Sequence, residues 1–382
     1  MKSDCYALFD LAQWKNGLAF KKIDFSSDGE PVIKIAELKN GITGQTQFTE
    51  GDYGDEVHLT KGDMLFSWSG NPETSIDVFW YNLPDGWLNQ HIFKVIPKPF
   101  VDRNFLYYLL KSLKATFTAI ASNKQTTGLG HITLKDLKKL NIALPSEKEQ
   151  KIIGRYLYTI DQKISVNQAI NDNLQQQAAT LFANFYEQAE TEVGFTELVQ
   201  ILGGGTPKTG EKSYWNGKVL FFTPKDIGFP YTLSTEKTIT EEGLAHCNSR
   251  LYPVNTVFVT ARGTVGKIGM PGVPMAMNQS CYALIGKNTN QILVYFYTLK
   301  VVDRLKYKAS GAVFDAITTR DFETESIFKL SDAHAEAFLN IARPIYRAIL
   351  GNTFENQQLT ALRDFLLPKL ISGELDVSEL GI

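Results

Sequence analysis

The chain has 382 residues, of which 43% are hydrophobic and 21% charged, and its formal net charge is −2. These values suit a folded globular protein and exclude a disordered or fibrous chain. No stretch approaches the roughly 18 apolar residues of a membrane span, and the start Met1-Lys2-Ser3-Asp4 lacks a secretory signal. The scattered Cys5, Cys247 and Cys281 argue against a disulfide framework. We therefore expect a cytoplasmic protein of at least two domains.

The first predicted module, residues 1–144, consists of short strands and a few helices. Gly62 to Gly70 predicts a strand that ends in a glycine turn, and Phe105 to Leu113 predicts a helix. From Lys98 to Lys139 there are eight lysines or arginines and two acids, a local charge of +6. Cations, amides and aromatic rings together suit contacts to phosphates and base edges; the candidates here are Trp68, Asn89, Gln90, His91, Lys124 and Gln125. Trp68 could equally be a core residue, and Asn89-Gln90 a structural turn.

Residues 145–192 are predicted to form a long central spacer helix. Its seam alternates steps of four and three, as a coiled coil requires: Ile153, Leu157, Ile160, Ile164, Asn167, Asn171, Leu174, Ala178, Leu181 and Phe185. Two asparagines in an apolar seam cost stability unless they find partners, and their best-attested use is to fix register. We therefore expect Asn167 and Asn171 to face polar partners on a second helix.

The second predicted module spans residues 193–330 and includes a helix from Ile292 to Lys306. The glycines from Gly203 to Gly210 suggest a phosphate loop, but Glu211 stands where that loop needs a lysine, so we reject nucleotide binding. From Lys287 to Arg320 the local charge is +4. The candidate contacts to phosphates and base edges in this module are Lys208, Lys212, Tyr214 and Lys225. The basic tract adds Lys308, and the family resemblance given below adds Thr206, Arg262 and Lys267.

A distal spacer helix over 331–373, followed by a C-terminal tail over 374–382, repeats the first seam. Asn352 and Asn356 follow Asn167 and Asn171 at a constant offset of 185 residues. Other landmarks recur at offsets of 193, 189 and 185, which indicates an internal repeat of module and helix. Each asparagine pair lies midway along its apolar seam. Parallel and antiparallel pairing of the two helices would therefore both bring the asparagines level with each other. Pro344 is expected to kink or delay the second helix.

Motifs for catalysis are missing. None of the fourteen prolines is adjacent to another, so the Asn/Asp-Pro-Pro-aromatic pocket of adenine methyltransferases is absent, and the histidines and cysteines show no zinc spacing. Glu149-Gln150-Lys151 resembles half of a nuclease element, but a salt-linked helix surface explains it better. We expect a chain that is not an enzyme and binds no metal.

These residues resemble the DNA specificity subunit of type I restriction-modification systems over essentially the whole length. The resemblance rests on several segments: Leu202 to Lys208, Tyr214-Trp215, Phe222 to Ile227, Arg262 to Lys267, Asn278-Gln279, Gly86 to His91, Leu144-Pro145 with Glu149-Gln150, and Leu362 to Glu374. The second helix departs from the family pattern, because Leu330-Ser331-Asp332 replaces the Leu-Pro and Glu-Gln signature.

The resemblance implies an α+β (mixed α/β) fold with two target recognition domains joined by two long antiparallel coiled-coil helices in a pseudo-two-fold repeat. Each domain would read one half of a bipartite double-stranded DNA site, and the helices would set the gap. The family's chain has no cofactor of its own; two methyltransferase subunits carry S-adenosylmethionine, and motor-nuclease subunits use ATP and Mg. Two alternatives stay open: a coiled-coil scaffold, or the recognition subunit of a related fused methyltransferase-nuclease system.

Overall fold

The structure is a computed structural model that describes residues 4–125, 128–308 and 316–377. Residues 378–382 of the predicted C-terminal tail and residues 1–3 of the first predicted domain lie outside this part. The chain divides into two compact units, one made of Met1–Lys163 with Leu359–Ile382 and the other of Ile164–Gln358. Both boundaries fall within long helices, so each long helix contributes residues to both units.

The first unit combines short strands with helices. Its strands are β1 (Asp4–Ala7), β2 (Ala12–Asn16), β3 (Glu30–Ile33), β4 (Phe48–Thr49), β5 (His58–Leu59), β6 (Met64–Ser67), β7 (Ser69–Gly70), β8 (Asp77–Trp80), β9 (Gly86–Leu88), β10 (Ile92–Pro97), β11 (Gly130–His131) and β12 (Asn141–Leu144). Its helices are α1 (Ile35–Asn40), α2 (Arg103–Ser112), α3 (Lys114–Ser122), α4 (Leu134–Leu137) and the first part of α5 (Glu147–Tyr186).

Two four-stranded sheets carry most of this unit, in the orders β2-β10-β6-β8 and β4-β3-β9-β5. β6 is a buried run of four residues, as expected for a central strand covered on both faces. The helix α2 begins at the cap residue Asp102, whose side chain accepts a hydrogen bond from the backbone N–H of Phe105, and its apolar residues from Phe105 to Leu110 are buried. The predicted helix over 105–113 is confirmed.

The second unit repeats this plan. Its strands are β13 (Thr191–Gly194), β14 (Val199–Gly203), β15 (Trp215–Phe222), β16 (Tyr231–Thr232), β17 (Lys237–Ile239), β18 (Val257–Thr260), β19 (Ile268–Pro271), β20 (Met275–Met277), β21 (Cys281–Gly286) and β22 (Ser326–Lys329). Its helices are α6 (Phe195–Leu198), α7 (Glu241–Ala245), α8 (Gln291–Lys308), α9 (Thr319–Glu323) and part of α10 (Asp332–Ser372). The sheets are ordered β14-β21-β18-β19-β16 and β17-β15-β20.

The internal repeat extends to the backbone pairing. In the first unit β3 runs parallel to β9 with Ile33 opposite Leu88, and in the second β15 runs parallel to β20 with Phe222 opposite Met277. Phe222 follows Ile33 by 189 residues, and Met277 follows Leu88 by the same number. The antiparallel pairs of the larger sheets are equivalent too. Phe93 of β10 lies opposite Phe66 of β6, and Tyr282 of β21 lies opposite Val259 of β18. The predicted pseudo-repeat is therefore present as equivalent strand registers.

Within the second unit, α5 and α10 pair antiparallel through the predicted asparagines. The Asn167 side-chain amide donates to Oδ1 of Asn356 at 2.9 Å, and that of Asn352 donates to Oδ1 of Asn171 at 2.8 Å. Asn167 also donates to the Glu355 carboxylate at 2.7 Å. Residue numbers rise along α5 from 167 to 171 while those of their partners on α10 fall from 356 to 352. The two helices are therefore antiparallel, a choice that the sequence did not decide.

The buried seam departs from the predicted one by one residue at two places in the second unit. Phe182 and Tyr346 are buried, whereas the predicted seam residues Leu181 and Ile345 are only partly buried. A straight α-helix drifts by about 20° per heptad relative to a strict 3.5-residue repeat, which accounts for Phe182 near the end of α5. On α10 the departure is local, because Ile349 of the predicted seam is buried again.

Pro344 neither delays nor ends the second long helix. The helix α10 begins at Asp332 and continues for 41 residues to Ser372. The flanking Ala342 and Tyr346 are both buried in the core of the second unit. Packing on either side of the proline offsets the one intrahelical hydrogen bond that its ring nitrogen cannot make. The expected delay of this helix was wrong.

Candidate nucleic-acid interface

A close backbone crossing lies at the same place in both units. A Cβ on Gly17 would lie 2.3 Å from the carbonyl oxygen of Asn89, and a Cβ on Gly204 would lie 2.0 Å from that of Asn278. Both distances are far below a van der Waals contact, so only glycine fits at either crossing. The recurring Asn-Gln dipeptides thus mark a structural turn in both modules, as the second of the two sequence interpretations proposed.

A short helical turn with a carboxylate cap follows β3 in the first unit and β15 in the second. The backbone N–H of Lys34 donates to the Glu37 carboxylate at 3.0 Å, and that of Thr223 donates to the Asp226 carboxylate at 2.7 Å. Each carboxylate satisfies an N–H group that a short helical turn leaves free. These caps fix the loops that flank the Asn-Gln turn in both units.

In the second unit, three cations line an open cleft of about 460 Å³ beside the Asn278 turn. They are Lys225, Lys237 and Arg262, all exposed. Thr223, Thr264 and Ser280 add hydroxyl groups, and Glu236 adds one carboxylate. In the described part of the chain, none of the three cations forms an ion pair within 4 Å. The cleft therefore combines uncompensated positive charge with polar side chains that suit base edges.

The other predicted contacts of the second module are more dispersed. Lys208, Lys212 and Lys267 are exposed. Thr206 donates its hydroxyl hydrogen to the side-chain carbonyl oxygen of Gln279, and Tyr214 stacks on His246 with ring centroids 5.0 Å apart. Lys308 is ion-paired with the buried Glu325. Its positive charge is therefore compensated, unlike that of the exposed lysines.

In the first module, the predicted contacts surround one aromatic cluster. Trp68 stacks on Phe93 at 5.6 Å, lies 5.6 Å from the ring of the exposed His91, and donates its indole N–H to Oδ1 of Asn16 at 3.1 Å. Asn89 is buried in the turn, and the side-chain nitrogen of Gln90 lies 3.4 Å from Nε2 of His91. Trp68 thus has a packing role, and His91 and Gln90 remain accessible.

The basic tract of the first module is partly compensated. Lys124 is ion-paired with Asp136, and Gln125 donates to the carbonyl oxygen of Gly128 at 2.9 Å. Lys111 and Lys114 lie 3.0 and 3.4 Å from the Asp77 carboxylate. Burial alone would raise the pKa of Asp77, but these two ammonium groups outweigh it and hold the pKa below the usual 3.8. Three of the eight cations of this tract are therefore held in ion pairs that stabilise the fold.

Two residues important to the geometry were not recognised in the sequence. Lys237 lines the cation cleft, but it stands alone between polar residues and carries no motif. Gln150 was assigned to a polar helix surface, whereas it is buried and accepts a hydrogen bond from the backbone N–H of Asp102 at 2.9 Å. The Pro-Ser-x-x-Glu-Gln spacing at the start of α5 was the available signal.

The described residues contain no group of three side chains that could hold a metal ion. Nor does any helix in the same part of the chain have the length and apolarity to cross a membrane.

Comparison with known proteins decides the family. The model of the type I restriction modification DNA specificity domain matches residues 2–176 and 191–328. The chain belongs to this family. It is a DNA sequence-specificity subunit, and the matches do not favour the scaffold or the fused-system alternative. The two matched segments cover nearly all of the two modules. The first segment ends within α5, and the second ends just before α10 begins.

Relatives cover most of this specificity subunit. It is 23% identical over 402 residues to the type I restriction enzyme HindI specificity subunit of Haemophilus influenzae, a match that covers 83% of this chain and 87% of that protein. It is 22% identical to the putative MjaX specificity subunit of Methanocaldococcus jannaschii, over 95% and 91% of the two chains. A crystal structure of the type I restriction-modification S subunit from M. genitalium matches with a TM-score of 0.60 and 17% identity, over 96% and 95% of the chains, and supports the same fold.

Proposed function

We propose that each recognition domain of this specificity subunit reads one half of a bipartite DNA site, through the face that carries the Asn-Gln turn. The observation that supports this most directly is the duplicated framework of glycine crossing, capped turn and Asn-Gln dipeptide. A duplex offers the same backbone to both modules, so one framework can dock both half-sites while the side chains around it differ.

We further propose that the chain acts in the cytoplasm within a larger complex. Two methyltransferase subunits would supply S-adenosylmethionine, and motor-nuclease subunits would use ATP and Mg, so the chain itself would contribute recognition and no chemical step. The long helices α5 and α10 would set the unread gap between half-sites and dock the methyltransferase subunits. The site of target cleavage or methylation would then follow from what this chain reads.

The test is a map of methylated bases across the host genome, with the gene intact and deleted. Loss of one split motif on deletion would support the proposal and would give both half-sites and the gap between them. Reintroducing the gene on a plasmid should restore the same motif. An unchanged methylome in a strain whose partner genes are expressed would contradict the proposal.

A further inference from the structure

The two recognition modules share a backbone framework but differ at the side chains that line its open face. Strand registers assign the equivalent positions. Phe221 pairs with Lys237 in the ladder of β15 and β17, and the equivalent Val32 donates its backbone N–H to the carbonyl oxygen of Gln47 at 2.8 Å. Gln47 of the first unit therefore occupies the place of Lys237.

Strand pairing also identifies the residue of the first unit that is equivalent to Arg262. Arg262 forms a backbone bridge with Ala316, whereas Ser69 pairs with His131 in the first unit. The following hydrogen bonds also match, since Ile317 donates its backbone N–H to the carbonyl oxygen of Ala261 and Ile132 donates to that of Trp68. Ser69 is thus the counterpart of Arg262.

Lys225 is assigned by the capped turn that follows the parallel strand. It lies two residues after Thr223, just as Ala36 lies two residues after Lys34 in the first unit. The three cations of the second unit, Lys225, Lys237 and Arg262, therefore correspond to Ala36, Gln47 and Ser69. At these three positions, cationic side chains of the second module correspond to uncharged side chains of the first. The first module carries its cation one position away, since Lys34, the equivalent of the cleft residue Thr223, donates from Nζ to Oε1 of Gln47.

The change of side chain at these three positions indicates contacts to bases and not to phosphates. Both half-sites of a duplex present the same phosphate backbone, so residues that only bind phosphate have no reason to change between the modules. Residues that read bases must change when the half-sites differ. The framework residues are retained, and the three lining positions are not.

Resting on the proposed function, we propose that positions 225, 237 and 262 of the second domain, and 36, 47 and 69 of the first, determine which bases are read. Arg262 is the reader of a guanine in the half-site of the second domain. Its guanidinium group is exposed at the rim of the cleft and is free of a carboxylate partner among the described residues, and two parallel N–H donors match O6 and N7 of guanine. In the first domain, Ser69 offers one hydroxyl at that position and reads a different base.

The experiment uses the purified complex with its methyltransferase subunits and duplex oligonucleotides that carry the methylated site found in the genome map. Each base pair of both half-sites is replaced in turn, and the affinity ratio between the native and the replaced site is measured. Arg262→Ala should reduce discrimination at one guanine of one half-site by roughly 5- to 150-fold and leave the other half-site unchanged. Arg262→Gln should shift the preference at that position toward adenine, because a side-chain amide pairs with N6 and N7 of adenine.

Lys287→Ala is the matched control. Lys287 is an exposed cation at the opposite end of β21 from Ser280, seven residues or roughly 23 Å along the strand. It should leave every ratio unchanged. Equal weakening by Arg262→Ala on all duplexes would indicate a phosphate contact and would overturn the proposal, as would unchanged ratios.

Loss of all binding by a normally melting Arg262→Ala complex would also overturn it, because one base reader should not carry the whole affinity. A reciprocal Ser69→Arg substitution should alter discrimination only in the other half-site. If the unmodified complex shows no preference for a split site, the proposed function itself fails. If the unmodified complex prefers a split site and the Arg262→Ala complex keeps the same base discrimination, the proposed function stands and the proposal that Arg262 reads a guanine fails.

Discussion

At the scale of single residues, the four seam asparagines form two defined pairs. Asn352 donates to Asn171 at 2.8 Å, so a leucine at position 171 would leave the half-buried Asn352 amide without that partner. An unsatisfied buried polar group costs about 1–3 kcal/mol. Replacing both members of the pair removes this penalty and adds apolar contact.

We predict that Asn171→Leu alone lowers the thermal stability of the subunit, and that Asn171→Leu with Asn352→Leu recovers it fully or exceeds the original. The double variant should also form mixed oligomers, because the feature that favours one register is gone. Differential scanning calorimetry and light scattering measure both effects. A double variant less stable than either single variant would count against this account of the seam.

A second residue-scale prediction concerns Asp77. Its pKa is lower in the folded chain than in the unfolded chain, so its contribution to stability is present at neutral pH and is lost as pH falls through the folded pKa. Asp77→Asn should lower the free energy of unfolding by about 1–2 kcal/mol at pH 7. The difference from the unmodified subunit should shrink below about pH 4.

Urea unfolding between pH 2 and pH 7 measures this difference. The control is Asp172→Asn, which removes an exposed carboxylate on α5. A stability loss for Asp77→Asn that stays constant down to pH 2 would show that the ion pairs with Lys111 and Lys114 are not its source.

At the scale of elements, the two long helices share a serine N-cap and differ in one further anchor. Ser146 accepts from the backbone N–H of Glu149 at 3.4 Å, and Ser331 accepts from that of His334 at 3.2 Å. Only α5 adds Gln150, which bonds to the backbone N–H of Asp102 and to the carbonyl oxygens of Pro145 and Phe100. The glutamine of the family signature is thus a packing anchor that the start of α10 lacks.

Gln150→Leu should therefore destabilise the subunit by about 2–3 kcal/mol, since it leaves the backbone N–H of Asp102 and two carbonyl oxygens without partners. The matched control, Gln162→Leu, changes an exposed glutamine on the same helix and should shift stability by less than about 0.5 kcal/mol. Chemical unfolding followed by circular dichroism separates the two variants. Equal effects would refute the anchoring role of Gln150.

The sequence predicted the long helices, their asparagines and the repeat because these features have a regular spacing along the chain. It did not predict the burial of Gln150, because an isolated glutamine has no periodicity and two of its three partners lie about 50 residues away. The ion pair of Lys308 was missed because its partner Glu325 lies outside the tract whose charge was counted. The ion pair of Lys124 was missed because a net charge does not say which cation contacts which carboxylate. Pro344 was misjudged since its local penalty is offset by packing that only the folded helix shows.

At the scale of the whole molecule, the net charge of −2 means that DNA binding cannot arise from general attraction. It must depend on local groups of unpaired cations. Lys208 and Lys212 are exposed and lie outside the three lining positions, so we predict that they contact phosphate. Lys208→Ala with Lys212→Ala should weaken binding to all sequences alike and reduce the slope of log affinity against log salt by about 2.

Fluorescence anisotropy on native and scrambled duplexes at several salt concentrations measures that slope. Lys287→Ala should leave it unchanged. A change in sequence preference without a change in slope would reassign Lys208 and Lys212 from phosphate to base contacts.

The separation of a fixed framework from a variable face also bears on how new specificities can be made. At Gly17 and Gly204 the neighbouring carbonyl oxygens leave no room for any side chain, so we expect mutations there to disrupt the domain. Ala36, Lys225 and Arg262 are exposed and Ser69 is partly exposed, so other side chains can be placed there at little steric cost. A library confined to such positions should therefore yield folded subunits with altered targets, and two such libraries, one for each domain, could be combined freely in one gene.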